Sequence, residues 1–259
     1  MLRIVGVLVA ALLVGLCGSA GIEAGAAQPP GVPILVYHRF GPLLADDMTV
    51  RTSVLESQLA LIDQDGYRVL PLKGLLAALG DSNANLPAHS VVLTIDDGHR
   101  SVFTDLYPLI LKHRLQVTLF VYPSAISNAP YALTWEQLAE MKASGLVDVQ
   151  SHTFWHPNFD VERKRLSPEA YERFARDQFA KSKTIMERRL GGPVDLLAWP
   201  FGIHNEQLAQ WAGQIGYRAA FTIERHTVSR TDDMMALPRY IVVDADRESR
   251  FEALLAGRR

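Results

Sequence analysis

The chain of 259 residues has one cysteine, Cys17. It falls in an N-terminal segment that reads as removable. The remaining chain then has no thiol to pair or to ligate a metal. Any metal would be held by His, Asp or Glu. An excess of either charge is lacking too: 26 basic residues stand against 28 acidic ones, a formal net charge of −2. No basic surplus points to nucleic acid, and no charge run points to a disordered tail. Low-complexity tracts and short internal repeats are absent. The longest apolar run, Ile4 to Leu16, falls short of the roughly 20 residues needed to cross a bilayer.

That run follows Arg3 and gives way to small residues through Ala24-Gly25-Ala26-Ala27. A positive charge, a short apolar core and an Ala-x-Ala site describe a secretory signal peptide. Leu16 is too bulky for the small residue expected before a lipoprotein cysteine. We therefore expect residues 1–26 to be a signal peptide cleaved near Ala26 and residues 27–259 to be a single domain. The location is then periplasmic or extracellular, with no stable membrane span after cleavage. An uncleaved segment would anchor the protein in the membrane.

The chain is 48% hydrophobic, enough for one large core. After a Gln28-Pro29-Pro30-Gly31 linker, strand and helix patterns alternate. Pro33 to His38 reads as a strand. Ser53-Val54-Leu55-Glu56 reads as a capping box opening a helix that ends before Gly66. Tyr67 to Leu72 reads as a strand and Lys73 to Leu79 as a short helix. Val91 to Ile95 is the central strand. Val102 to His113 reads as a helix kinked at Pro108. Gln116 to Val121, Val147 to Gln150, Val194 to Trp199, Arg218 to Ile223 and Tyr240 to Val243 read as further strands. The helices between them start near Thr134, Ser167 and Gln207, and a last one spans Arg247 to Leu255. Repeated strand–helix units imply an α/β fold with a parallel sheet, here a distorted (β/α) barrel of about seven strands. In such barrels the chemistry sits where strands end.

One stretch organises the rest. Val91-Val92-Leu93-Thr94-Ile95 runs into Asp96-Asp97-Gly98. A buried strand ending in two carboxylates puts charge where burial is costly unless something pairs with it. Taken alone, Asp-Gly also reads as an ordinary turn. Downstream, His152-Thr153-Phe154-Trp155-His156 spaces two imidazoles four apart, a spacing that can aim both at one cation. Pro157 biases His156 away from helix. Two histidines and one aspartate make a three-ligand site with positions open for water or substrate. The second carboxylate is left to act as a base. His38 and Pro200-Phe201 also fall at strand ends.

These motifs resemble the polysaccharide deacetylases of the NodB-homology type, carbohydrate esterase family 4. Their usual pattern is Thr-Phe-Asp-Asp-Gly followed by His-Ser/Thr-x-x-His. This chain reads Thr94-Ile95-Asp96-Asp97-Gly98 and His152-Thr153-Phe154-Trp155-His156. The resemblance covers about Pro33 to Asp244 and makes residues 27–259 a deacetylase catalytic domain of NodB-homology fold. It implies Asp96 as general base, with Asp97, His152 and His156 as metal ligands. The cofactor is a divalent ion, zinc first, with cobalt, nickel or iron compatible with the same donors. The third family motif, usually Arg-x-Pro-Tyr, corresponds to Ala198-Trp199-Pro200-Phe201-Gly202, so the Phe201 N–H would serve the oxyanion. Ala198 stands where the arginine belongs, and Arg239 is the candidate substitute for orienting Asp96. The usual C-terminal Leu-x-His is missing as well. Pro33-Ile34-Leu35-Val36-Tyr37-His38-Arg39-Phe40 instead resembles a permuted subgroup that includes poly-β-1,6-N-acetylglucosamine deacetylases, which implies His38 as general acid.

The implied partner is an N-acetylated polysaccharide, with no nucleic acid. Rival readings are deacetylation of peptidoglycan or chitin oligomers, O-acetyl ester hydrolysis, a hydrolase of small cyclic amides, and a non-catalytic glycan-binding module. The last rests only on the absent arginine. His89, His99, His113, His204 and His226 are read as surface or loop residues. Trp155 and Trp199 suit either sugar stacking or core packing.

Overall fold

The structure is a computed structural model and describes residues 31–258. The expected signal peptide lies outside the described residues. The described residues form ten strands and eight α-helices. β1 (Ile34–Tyr37), β2 (Arg39–Gly41) and β3 (Thr49–Arg51) precede α1 (Thr52–Gln64). β4 (Arg68–Val69) and α2 (Leu72–Gly80) lead to the central β5 (Ser90–Ile95). A π-helical turn (Val102–Leu106) runs into α3 (Tyr107–His113), then β6 (Val117–Val121), α4 (Trp135–Ala143) and β7 (Val147–Ser151). α5 (Phe159–Arg165) and α6 (Pro168–Leu190) lead to β8 (Leu196–Ala198), α7 (Glu206–Ile215), β9 (Ala219–Phe221), β10 (Tyr240–Ile241) and α8 (Ser249–Leu255).

The main sheet is parallel in the order β10-β1-β5-β6-β7-β8-β9, with β4 paired to the start of β5. Its seven ordered strands are the expected barrel strands. They curl until the two edges meet through one segment. Leu237 N–H donates to the Ala220 carbonyl on β9, and Thr222 N–H donates to the Leu237 carbonyl. Three residues later Tyr240 is registered with Leu35 of β1. The chain thus changes partner between residues 237 and 240, and Arg239 sits at that seam.

Alternation along the strands sorts the core into two layers. Leu35, Leu93, Leu119, Val149 and Leu197 face outward and pack beneath the helices with Leu59, Ile110, Leu138, Phe179 and Leu208. Ile34, Val92, Phe120, Leu196 and Phe221 face inward and fill the barrel with Leu72, Leu75 and Leu76 of α2. The inward set has a consequence at the strand ends. Counting by twos from Ile34, Val92 and Phe120 arrives at His38, Asp96 and Tyr122. The same parity on β7 carries Gln150 to His152. Period-two geometry therefore aims these side chains into one mouth.

Several local expectations are corrected. Ser53 does not cap α1; the helix already includes Thr52, and Arg51 is its N-cap without a side-chain cap bond. Arg51 is instead held by Asp244, which accepts from its N–H at 3.0 Å and from Nη2 at 2.7 Å. That contact joins residues far apart in sequence, so no local pattern announces it. Pro108 does not kink a continuous helix. It lies in the first turn of α3, after the π-turn. A proline lacks the N–H that the α-helical ladder needs, and a wider turn upstream accommodates the gap. The two-stranded parallel ladder β2–β3 and the seven-residue α5 have no counterpart in the sequence reading. The capping box at Thr134 is formed, with Gln137 N–H donating to Thr134 Oγ1 and Thr134 N–H to Gln137 Oε1. No helix among the described residues is long and apolar enough to cross a membrane.

Candidate active site

At the C-terminal ends of the strands lies a cavity of about 420 Å³. His38, Asp96, Asp97, His152, His156 and Phe201 all line it. Arg239 reaches it from below, through Asp96.

Asp96 is 2% exposed. Arg239 Nη1 donates to its Oδ1 at 2.8 Å and Nη2 to its Oδ2 at 2.7 Å, a two-pronged fit. The arginine is itself fully buried. Its Nε donates to the Thr222 carbonyl at 3.0 Å, and its guanidinium lies over the Phe120 ring at 5.5 Å. Burial alone would raise the Asp96 carboxyl. The Arg239 charge and bonds, with His152 adding to them, outweigh it and hold the group at about 2.

Asp97 is placed differently. Its backbone is left-handed, φ 74°, as is that of Gly98, φ 75°. This reversal turns the Asp97 side chain away from the Arg239 fork. A Cβ at position 98 would come within 2.9 Å of Val121, so glycine is required on two counts. Asp97 Oδ1 lies 3.7 Å from His152 Nε2 and 3.7 Å from His156 Nε2. Desolvation comes first among the causes that raise its carboxyl, and the neighbouring Asp96 charge adds to the rise.

The imidazoles are held from behind. His152 Nδ1–H donates to the Ala198 carbonyl at 2.8 Å, which leaves the Nε2 lone pair facing the cavity. Burial lowers its pKa to about 3, so it is neutral at ordinary pH. His156 has φ 64° in a turn started by Thr153, φ 67°, and its N–H donates to Thr153 Oγ1. Burial lowers its pKa as well. The pair is presented by this strained turn after β7, not by a helix face.

One ligand atom each from Asp97, His152 and His156 lie within 4.8 Å of one another. Two neutral imidazoles and a carboxylate are donors for a borderline divalent ion. The two Asp97–imidazole separations of 3.7 Å are near the spacing of about 3.3 Å that bonds of about 2.0–2.1 Å impose on a tetrahedron. These residues could therefore hold a metal with small movements. His38, at the end of β1, has a buried Nδ1 with no hydrogen-bond partner among the described residues. Phe201 sits at φ 57° inside a 3-10 turn and is 56% exposed.

The sequence model for polysaccharide deacetylases matches residues 83–220, more than half the chain, spanning both carboxylates, both imidazoles and the Pro200-Phe201 turn. The chain belongs to the polysaccharide deacetylase family. It is 28% identical over 229 residues to the Bacillus subtilis (strain 168) protein YxkH, itself named for this family, covering 88% of this chain and 77% of that one. It is 24% identical over 250 residues to the Escherichia coli (strain K12) poly-beta-1,6-N-acetyl-D-glucosamine N-deacetylase, covering 83% of this chain. The match spans only 37% of that relative's length. Among solved structures, the Streptococcus pyogenes deacetylase PplD in complex with acetate superposes with a TM-score of 0.77 at 25% identity, covering 88% of this chain and 99% of that one.

This deacetylase also lines its cavity with residues that the sequence did not single out: Arg39, Met48, Tyr122, Ile223 and Ile241. Tyr122 had a signal in principle, since it continues the inward parity of β6. Arg39 opens β2 and Met48 precedes β3, and Arg39 forms an ion pair with Asp46 in the connection between the two strands. The two tryptophans separate. Trp199 is 1% exposed, and its indole N–H donates to the Met235 carbonyl. Trp155 is 41% exposed and meets Phe174 edge-on. Of the set-aside histidines, His204 stacks on Trp199, His226 contacts Asp232, and His99 bonds Ser101.

Proposed function

We propose that this polysaccharide deacetylase removes N-acetyl groups from a polymer of β-1,6-linked N-acetylglucosamine outside the cytoplasm, and that it depends on a divalent metal, zinc first. The observation that carries the proposal is the division of labour between adjacent carboxylates. Asp96 is clamped by Arg239, while Asp97 shares a centre with two imidazoles.

Asp97, His152 and His156 would hold the ion. When bound, it supplies a water that is nucleophilic near neutral pH and a Lewis acid for the amide carbonyl. The protein's own groups do the rest. Asp96, kept ionised by Arg239, accepts the proton of the attacking water. The Phe201 N–H donates to the carbonyl oxygen as charge develops on it. His38 gives a proton to the amine nitrogen as the carbon–nitrogen bond breaks. Acetate and a free glucosamine unit leave. Arg239 does not touch substrate. It fixes the orientation and the charge of Asp96, the task that the missing arginine at position 198 leaves open.

The name of the Escherichia coli relative supports the polymer, and the likeness of Pro33 to Phe40 to the permuted subgroup supports His38 as acid. The signal-like residues 1–26 support export. The reading of a non-catalytic module loses its footing, because Asp96 has a guanidinium partner after all.

The test is acetate release from poly-β-1,6-N-acetylglucosamine, peptidoglycan and chitin oligomers by metal-stripped and zinc-reloaded protein. Zinc-dependent release, fastest from the first polymer, is the expected result. No release from any glycan by the zinc-loaded protein would overturn the proposal.

A further inference from the structure

Beside the cavity stand two phenols that the mechanism above does not use. Tyr122 lines the cavity, with its ring centroid 5.5 Å from that of His156. Its hydroxyl meets the Tyr131 hydroxyl at 3.0 Å. Tyr131 is 45% exposed and lies beyond the cavity lining. Its ring runs nearly parallel to that of His99, tilted by 10° at 6.4 Å between centroids.

Tyr131 is not a loose surface side chain. Arg100 N–H donates to the Tyr131 carbonyl at 2.7 Å, and Leu133 N–H donates to the Gly98 carbonyl at 2.9 Å. His99 and Ala132 form an antiparallel bridge between these bonds. The segment carrying Tyr131 is thus laced to residues 98–100, which directly follow Asp97. Its position relative to the reaction centre is set by backbone hydrogen bonds.

Hydrogen counting gives the pair a further property. Two hydroxyls sharing one bond use one of their two protons. The accepting hydroxyl keeps its proton, and both oxygens keep a lone pair. A flat ring, open to solvent on one side, therefore carries a donor–acceptor edge beside the cavity. Pyranose rings present the complementary surface: an apolar C–H face with hydroxyls around its rim. Aromatic rings of this amphipathic kind contribute large contact area at a small cost in side-chain freedom.

We propose that Tyr131 and Tyr122 form a binding subsite for the sugar unit next to the one whose acetyl group enters the cavity. Tyr131 supplies the stacking face, and the shared hydroxyl edge bonds the sugar's hydroxyls. The ligand class is an oligomer of N-acetylhexosamine, not a monosaccharide. The subsite rests on the glycan deacetylase reading, but it acts in binding and requires neither the metal nor turnover.

The experiment measures binding of a β-1,6-linked N-acetylglucosamine pentamer and of N-acetylglucosamine itself to metal-stripped protein by titration calorimetry. Acetate release is assayed separately on the zinc-loaded protein. Tyr131→Ala should weaken the pentamer by about three- to tenfold and leave the monosaccharide unchanged. Tyr131→Phe, which keeps the ring, should cost about two- to threefold on the pentamer alone. Thermal melts confirm that both variants fold. Pentamer affinity unchanged in Tyr131→Ala overturns the subsite, even if the wild type releases acetate. Equal losses for pentamer and monosaccharide also overturn it, since they report damage to the cavity itself. A selective loss of pentamer affinity without any acetate release would support the subsite and sink the catalytic reading instead.

Discussion

The Asp96 side of the cavity and the Asp97 side differ in almost every physical respect, although one peptide bond joins them. The Asp96 side is dry, and a fully buried guanidinium matches the charge with two short bonds. The Asp97 side is more open and is built on left-handed backbone at Asp97, Thr153 and His156. A carboxylate that must stay charged and stationary needs a fixed counter-charge. A carboxylate that must take an ion from solution needs an approachable face and lone pairs kept free. The proposed roles of these two identical side chains are divided by one reversal of φ after the central strand.

Substitutions on the two sides should separate metal from chemistry. The largest effect is expected for Asp97→Ala and His152→Ala. Bound zinc and acetate release should fall together, the latter by roughly a thousandfold or more, as read by metal analysis and an acetate assay. Asp96→Asn should cut turnover by about 10²–10⁴-fold while zinc content stays near that of the wild type. Normal turnover in that variant would erase the contrast between the two sides.

Arg239→Met tests the dry side by itself. It strands a buried carboxylate, and breaking such a pair costs about 3–5 kcal/mol, visible in thermal unfolding. It should also change the pH profile. In the wild type Asp96 is held at about 2, below its ordinary value of 3.8. The pair's stabilising contribution is therefore full above about 3.8 and is lost as pH falls toward about 2. Without the guanidinium the carboxyl rises. The acid limb of acetate release should then move to higher pH. An unshifted limb would mean that Arg239 does not set the charge of Asp96. The smallest effect is expected for Phe201→Ala, which keeps the backbone N–H. Turnover should fall by no more than about fivefold, whereas a loss of several hundredfold would assign the work to the ring.

The same division explains what could be read in advance. The Asp97 side was legible because each motif is short and sits at a strand end: Asp96-Asp97-Gly98 after an all-buried β5, and His152 after β7. Strand parity brings Asp96 and His152 to one mouth, and the left-handed turns that follow bring in Asp97 and His156. Arg239 was suggested only by a vacancy, the alanine at position 198, since nothing around Leu237-Pro238-Arg239 marks it as special. Its meaning depends on a contact across 143 positions. The β2–β3 ladder escaped for a related reason. Its strands are three residues each, too short for alternation to show. The helix start at Thr52 was missed because Asp244 anchors Arg51 from the far end of the chain.

Arg239 lies where the C-terminal stretch passes from β9 to β1. A polypeptide that had folded only as far as β9 would already own both carboxylates and both imidazoles, yet its would-be base would still lack a counter-ion. On the proposed mechanism, assembly of the barrel and activation of the enzyme are in this sense one event. The seam before the last strand would then be a keystone, without which a half-made molecule stays chemically silent.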